Sequence, residues 1–135
     1  MSKSNTTEND LMKFMFNGTA MPSYEANLYL SLHTADPGEA GDQTTNEATY
    51  TGYARVGVAR DNTGWVVSGN QSSNDDLLQF PQCTGGSNTI THVAIGTASS
   101  GAGQILYSGA LNASIVVSNL IQPQFAAAAL QITED

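Results

Sequence analysis

The sequence predicts an all-β protein, an antiparallel two-sheet sandwich that is jelly-roll-like, preceded by a short N-terminal helix or arm. Three observations predict it. From Ala26 to Thr133 short β-prone runs alternate with Gly/Pro/Asn/Asp/Ser turn signals. Nothing after the N-terminus has the spacing of strand, helix and strand that a parallel sheet needs. No segment repeats at a fixed period, which argues against a solenoid or propeller. A chain of 135 residues is long enough for one core. It divides into residues 1–25, an arm with a helix, and residues 26–135, the sandwich.

The elements follow in order. Thr7 with Asp10 three residues on resembles a weak capping box, Leu11, Phe14 and Met15 share one helical face, and Asn17-Gly18 is a stop. A helix over Glu8–Phe16 is expected, its apolar face either covering one end of the core or docking on a neighbouring subunit. Ala26–Thr34 alternates strictly: Leu28, Leu30 and Leu32 point one way, Tyr29, Ser31 and His33 the other. Asp36-Pro37-Gly38 then turns the chain. Further strands are expected at Tyr50–Arg60, Gly64–Ser68, Leu77–Phe80, Thr89–Thr97, Gln104–Leu111, Ala113–Ser118 and Phe125–Thr133. Asp61-Asn62-Thr63-Gly64 reads as a hairpin turn. Pro81, Thr84–Ser87 and Ser99–Gly101 mark loops. Ala126–Ala129 has helical propensity, but Phe125 before it and the Leu130-Gln131-Ile132 alternation after it favour a strand.

Composition narrows the function. Forty per cent of the chain is hydrophobic and only 12% charged, so Ser, Thr, Asn, Gln and Gly cover the surface, as suits protein packed against protein. A formal net charge of −8, with Lys3, Lys13, Arg55 and Arg60 the only cations, argues against nucleic acid and against anionic membrane. Cys83 is alone and has no intrachain disulfide partner. The first ten residues are polar, unlike a signal peptide, and no apolar run has the length of a membrane span.

Chemistry is hard to find. His33 and His92 read as hydrogen-bonded structural side chains, and one cysteine cannot complete a Cys/His zinc site. Asp36, Glu39, Asp42 and Glu47 form the densest acidic group, but their spacing is not that of a calcium loop, and a solvated, mobile loop is expected. Gly96–Gly103 lacks the lysine of a phosphate-binding loop and precedes a strand, so it reads as a hairpin loop. No GxSxG elbow is present. No enzyme activity, cofactor or metal is expected.

The run Leu28–Val56, with HTADPGEAG (His33–Gly41) and GYARV (Gly52–Val56), resembles a family of small bacteriophage virion proteins often labelled tail-fibre-like. The likeness continues through Thr89–Ile95, Gly103–Leu111 and Phe125–Thr133. It implies a phage structural subunit made in the bacterial cytoplasm and residing in the virion. A small sandwich with sheet edges and an arm suggests a capsid decoration (cement) subunit bound to the major capsid protein. The alternative is a tail-fibre or tail-tip component bound to tail proteins and facing the host. A homo-oligomer is expected, a trimer ahead of a dimer by analogy with decoration subunits at threefold positions. Candidate interface residues are Leu11, Phe14 and Phe16 on the arm, with Tyr29, Trp65 and Arg55, the last carried by the GYAR motif.

Overall fold

A computed structural model describes all residues from Met1 to Asp135. Strand β1 (Ser2–Lys3) precedes helix α1 (Asn5–Asn17). Strands β2 (Asn27–His33), β3 (Val56–Ala59), β4 (Trp65–Ser68), β5 (Gln71–Asn74), β6 (Leu78–Gln79), β7 (Asn88–Gly96), β8 (Ile105–Val117), β9 (Gln124–Phe125) and β10 (Gln131–Thr133) follow. Three antiparallel sheets result, ordered β1-β8-β7-β2-β3, β10-β5-β4 and β6-β9. The all-β sandwich is as expected. Its strands divide five, three and two, where a jelly roll divides them evenly.

The core lies where the five-stranded sheet meets the two smaller ones. Leu30 and Leu32 of β2 and Ile90, Val93 and Ile95 of β7 face Trp65, Leu78, Phe80, Phe125 and Ile132. The alternation of β2 places its leucines inward, as its sequence dictates. Its other face is not open to solvent, because Ser31 and His33 are fully buried too. The segment after His33 packs over them, with the Thr45 carbonyl against His33; Asp36 and Glu39 stay exposed, as expected of a solvated loop, but Gln43 and Glu47 turn inward, which was not expected. Gln43 is fully buried; its Nε2 donates to the Tyr29 carbonyl at 3.0 Å and its Oε1 accepts from the Ala98 N–H at 3.0 Å. Gly96 and Gly103 make room for it, since a Cβ on either would overlap the Gln43 side chain at 2.2 and 2.0 Å.

His33 is locked in one tautomer. Nδ1 lies 2.8 Å from the Thr45 carbonyl, which only accepts, so Nδ1 carries the proton and Nε2 accepts from Ser31 Oγ at 2.9 Å. Burial lowers the His33 pKa, the Thr45 carbonyl and Glu47 oppose that, and Arg55 and His92 add to it. An unfolded chain binds a proton near pH 6.5 that the folded imidazole resists. Stability from this group is therefore present above that pH and lost as pH falls. Urea midpoints are expected to drop from pH 7.5 to 5.5, and His33→Gln to flatten the drop; equal slopes would contradict it.

Several sequence expectations are corrected. The helix begins at Asn5 because Ser4, not Thr7, is its N-cap. Asp61–Gly64 is no hairpin: β3 pairs with β2 and β4 with β5, so this turn carries the chain between sheets and delivers Trp65 to the core. The predicted strand Tyr50–Arg60 shrinks to β3, since Tyr50 and Tyr53 serve the core from irregular chain. The Gln104–Leu111 and Ala113–Ser118 strands are one, β8, whose ladder with β7 breaks where Leu111–Ser114 bow out against Thr91 alone. Ala126–Ala129 is neither strand nor helix. Ala128 turns through φ 60°, its N–H donates to the Asn74 carbonyl, and Asn74 Oδ1 accepts from the Leu130 N–H. Strands β1 and β5 were not foreseen.

Candidate assembly surface

Helix α1 has a polar root and an apolar tip. Ser4 Oγ accepts from the Thr7 N–H at 3.3 Å, and the Ser4 and Thr7 hydroxyls donate to the Ile105 carbonyl. Gln104 Nε2 donates to Thr7 Oγ1 and to Asp10 Oδ2 at 3.0 and 3.2 Å. The Asn5 N–H donates to the Glu39 carbonyl at 2.9 Å. Gly18, at φ 65°, ends the helix in the left-handed region, and the Thr19 N–H donates to the Lys13 carbonyl. Thr7 is the helix's one buried residue. Everything that holds α1 thus lies in its first two turns.

The last two turns carry Met12, Phe14, Met15 and Phe16 into solvent, Phe16 with 74% of its surface exposed. A short helix draws most of its stability from burying an apolar face. Here that face is presented outward. Of the two expectations for α1, covering the core is the one the structure excludes.

The sequence-predicted residues do not form a single patch. Phe14 and Phe16 are exposed on the tip, and Leu11 beside them is half-buried. Tyr29 is half-buried on β2, its ring over Gly57 of β3. Trp65 is buried in the core, and its Nε1–H has no acceptor.

Arg55 is internal, its side chain only 3% exposed. It holds both carboxylate oxygens of Glu47 (Nε–Oε1 2.6 Å, Nη2–Oε2 2.8 Å) and the carbonyls of Ala98 and Gly101. The Tyr53 hydroxyl donates to Glu47 Oε1 at 2.9 Å and accepts from the Leu32 N–H. The hydrogen bonds to Glu47 raise the Arg55 pKa further, and burial pushes the Tyr53 phenol up. This cluster ties three loops to β2. It uses four of the five Arg55 N–H donors within the subunit, so the role of the GYAR arginine lies there.

Sequence reasoning placed Met15 on the apolar face of the helix but missed Met12, and it missed an apolar corner at the end of β8: Val116, Leu120 and Ile121 are exposed. Leu120 stands at φ 72° with 68% of its surface exposed. The signal for this corner was slight, because a single hydrophobic residue in a polar turn is common. The acidic residues do not converge: Asp36 and Asp42 cap their own turns, and Glu47 faces Arg55. No helix is long and apolar enough to cross a membrane.

A β-sandwich that keeps its charged network inside and displays an apolar helix tip is built for contact with other protein, and a phage structural subunit is such a protein. Residues 2–133 match the family described as Podophage GP4 fiber I protein gp80, and the chain belongs to that family. It is accordingly a phage virion structural protein, resident in the virion. No curated protein matches the chain.

Proposed function

We propose that the protein is a subunit of a virion fibre that works by association alone, with α1 as its docking element. The carrying observation is the uncovered tip, Met12, Phe14, Met15 and Phe16, on a helix whose root is fixed by hydrogen bonds. Exposed apolar side chains at one site mark an interaction surface. The description of the matched family, which names a fibre protein, supports fibre over head. Neighbouring tail components are then the partners that receive the tip.

Decoration of the capsid, contacting the major capsid protein, is the second reading. It is favoured by the small size of the sandwich and the lack of any repeated shaft sequence. Mild dissociation of purified particles separates the two. The chain is expected to leave with the tail at a handful of copies per particle; release with the head shell at hundreds would establish decoration instead.

A further inference from the structure

The two larger sheets part at one end of the sandwich. On the three-stranded sheet Trp65, Val67, Ser72 and Asn74 share the inner face, with Ile132 of β10 beside Ser72. Trp65, Asn74 and Ile132 are buried, yet Val67 has 72% of its surface exposed. An apolar side chain on an inner face is uncovered only where the facing sheet has drawn away. Ser72, paired with both Val67 and Ile132, is too small to fill the space.

What remains is an open cleft of about 290 Å³. Leu28 of β2, Ile95 of β7 and Leu106 and Tyr107 of β8 form its other wall. An apolar cavity of about 150 Å³ stays dry and holds benzene, so a cleft of this size takes a chain of roughly ten non-hydrogen atoms. Small-molecule sites combine such an apolar interior with a few fixed polar groups.

The polar groups stand at the rim. The Glu134 carboxylate accepts from the Tyr107 hydroxyl at one oxygen and from Lys3 Nζ at the other. Asn70 Nδ2 donates to the Glu134 carbonyl and the Glu134 N–H to the Asn70 carbonyl, both at 2.8 Å. The rim is thus held in place, and its two charges are spent on each other. An anionic head group would find no unpaired cation there, on a chain of net charge −8. A docking protein would bury the Lys3–Glu134 pair and strip its water, whereas a single chain entering the cleft leaves the pair wet.

We infer that this cleft binds a free, single-chain aliphatic molecule with an uncharged polar head, the chemistry of a medium-chain alcohol. The chain lies between Val67 and Ile132 on one side and Leu28 and Ile95 on the other. Its hydroxyl exchanges hydrogen bonds with Asn70 and Glu134 at the rim. Binding here is independent of the fibre reading, which location in the particle decides.

Titration of the full chain with a series of straight-chain alcohols from 1-hexanol upward tests it. Trp65, the only tryptophan, forms part of the wall, so its fluorescence reports occupancy. Affinity is expected to rise about fourfold with each methylene buried and to level off once the chain exceeds about ten carbons. Octanoate is expected to bind at least about tenfold more weakly than 1-octanol. Phosphatidylcholine vesicles, whose chains are longer and tethered, are expected not to bind.

Ser72→Leu places an aliphatic side chain in the cleft and is expected to abolish alcohol binding with urea stability unchanged or raised. Phe14→Ser/Phe16→Ser, on the distant helix tip, is expected to bind alcohols as the wild type does. The alcohol series is read on the wild type and decides the matter should Ser72→Leu fail to fold. Four results would overturn the inference: no saturable response to 1-octanol, affinity that keeps climbing with chain length, capture by the vesicles, or binding that survives in folded Ser72→Leu and is lost from the tip variant.

Discussion

Arg55→Ala is expected to lower the unfolding free energy by about 3–5 kcal/mol, the usual cost of removing one partner from a buried pair. The reason is what remains behind. Glu47 would keep only the Tyr53 hydroxyl, the Ala98 carbonyl would lose its donor and the Gly101 carbonyl would keep only the Gly103 N–H, all around a side chain now 3% exposed. Arg55→Lys should recover little of this. An ammonium is a point charge and cannot hold a carboxylate at two oxygens while reaching two carbonyls. Urea unfolding of the three proteins checks the claim, and a loss under about 1 kcal/mol, the value of an exposed pair, would show the network to be incidental.

Phe80→Ala is expected to cost a similar amount, about 3–5 kcal/mol, for a different reason. Phe80 is fully buried, parallel to the Tyr53 ring at 6.4 Å and edge-on to Phe125 at 6.2 Å. It joins the two-stranded sheet to the core, and its removal leaves a cavity that neighbouring strands cannot close. The same substitution on the helix tip provides the contrast. Phe14→Ala should change stability by less than about 0.5 kcal/mol, as surface substitutions do. Equal losses at the two positions would mean that the tip is packed in solution.

How much of this was legible in the sequence depended on period. The strict alternation of Leu28–His33 and the unbroken run Thr89–Ile95 gave β2 and β7 nearly to the residue, because a half-buried strand writes its face into its composition. Strand β5 was invisible: Gln71-Ser72-Ser73-Asn74 carries no apolar residue, and it is a strand because Asn74 and its neighbours hydrogen-bond β4 and β10. The alanine tetrad misled for the opposite reason. Its flanks, Phe125 and Gln131-Ile132, are in strands as read, but Asn74 fixes a turn between them from a distant part of the chain.

The site was half legible. Leu11, Phe14 and Phe16 could be named from helical spacing, yet nothing local said whether their face would be covered. Arg55 and Trp65 were named for chemistry that suits interfaces and interiors equally, and tertiary contacts assigned both to the interior. The Leu120 corner left only a slight signal, because its exposure is set by the turn that follows β8.

The most direct test of the central claim, that the α1 tip fastens this subunit into the virion, is the amount of the chain in particles assembled with the Phe14→Ser/Phe16→Ser protein. Both positions are exposed, so the variant is expected to fold and accumulate normally. Quantified against the major capsid protein, its content in purified particles is expected to fall at least tenfold, the effect of losing about 1.4 kcal/mol of contact. Wild-type content in those particles would contradict the account.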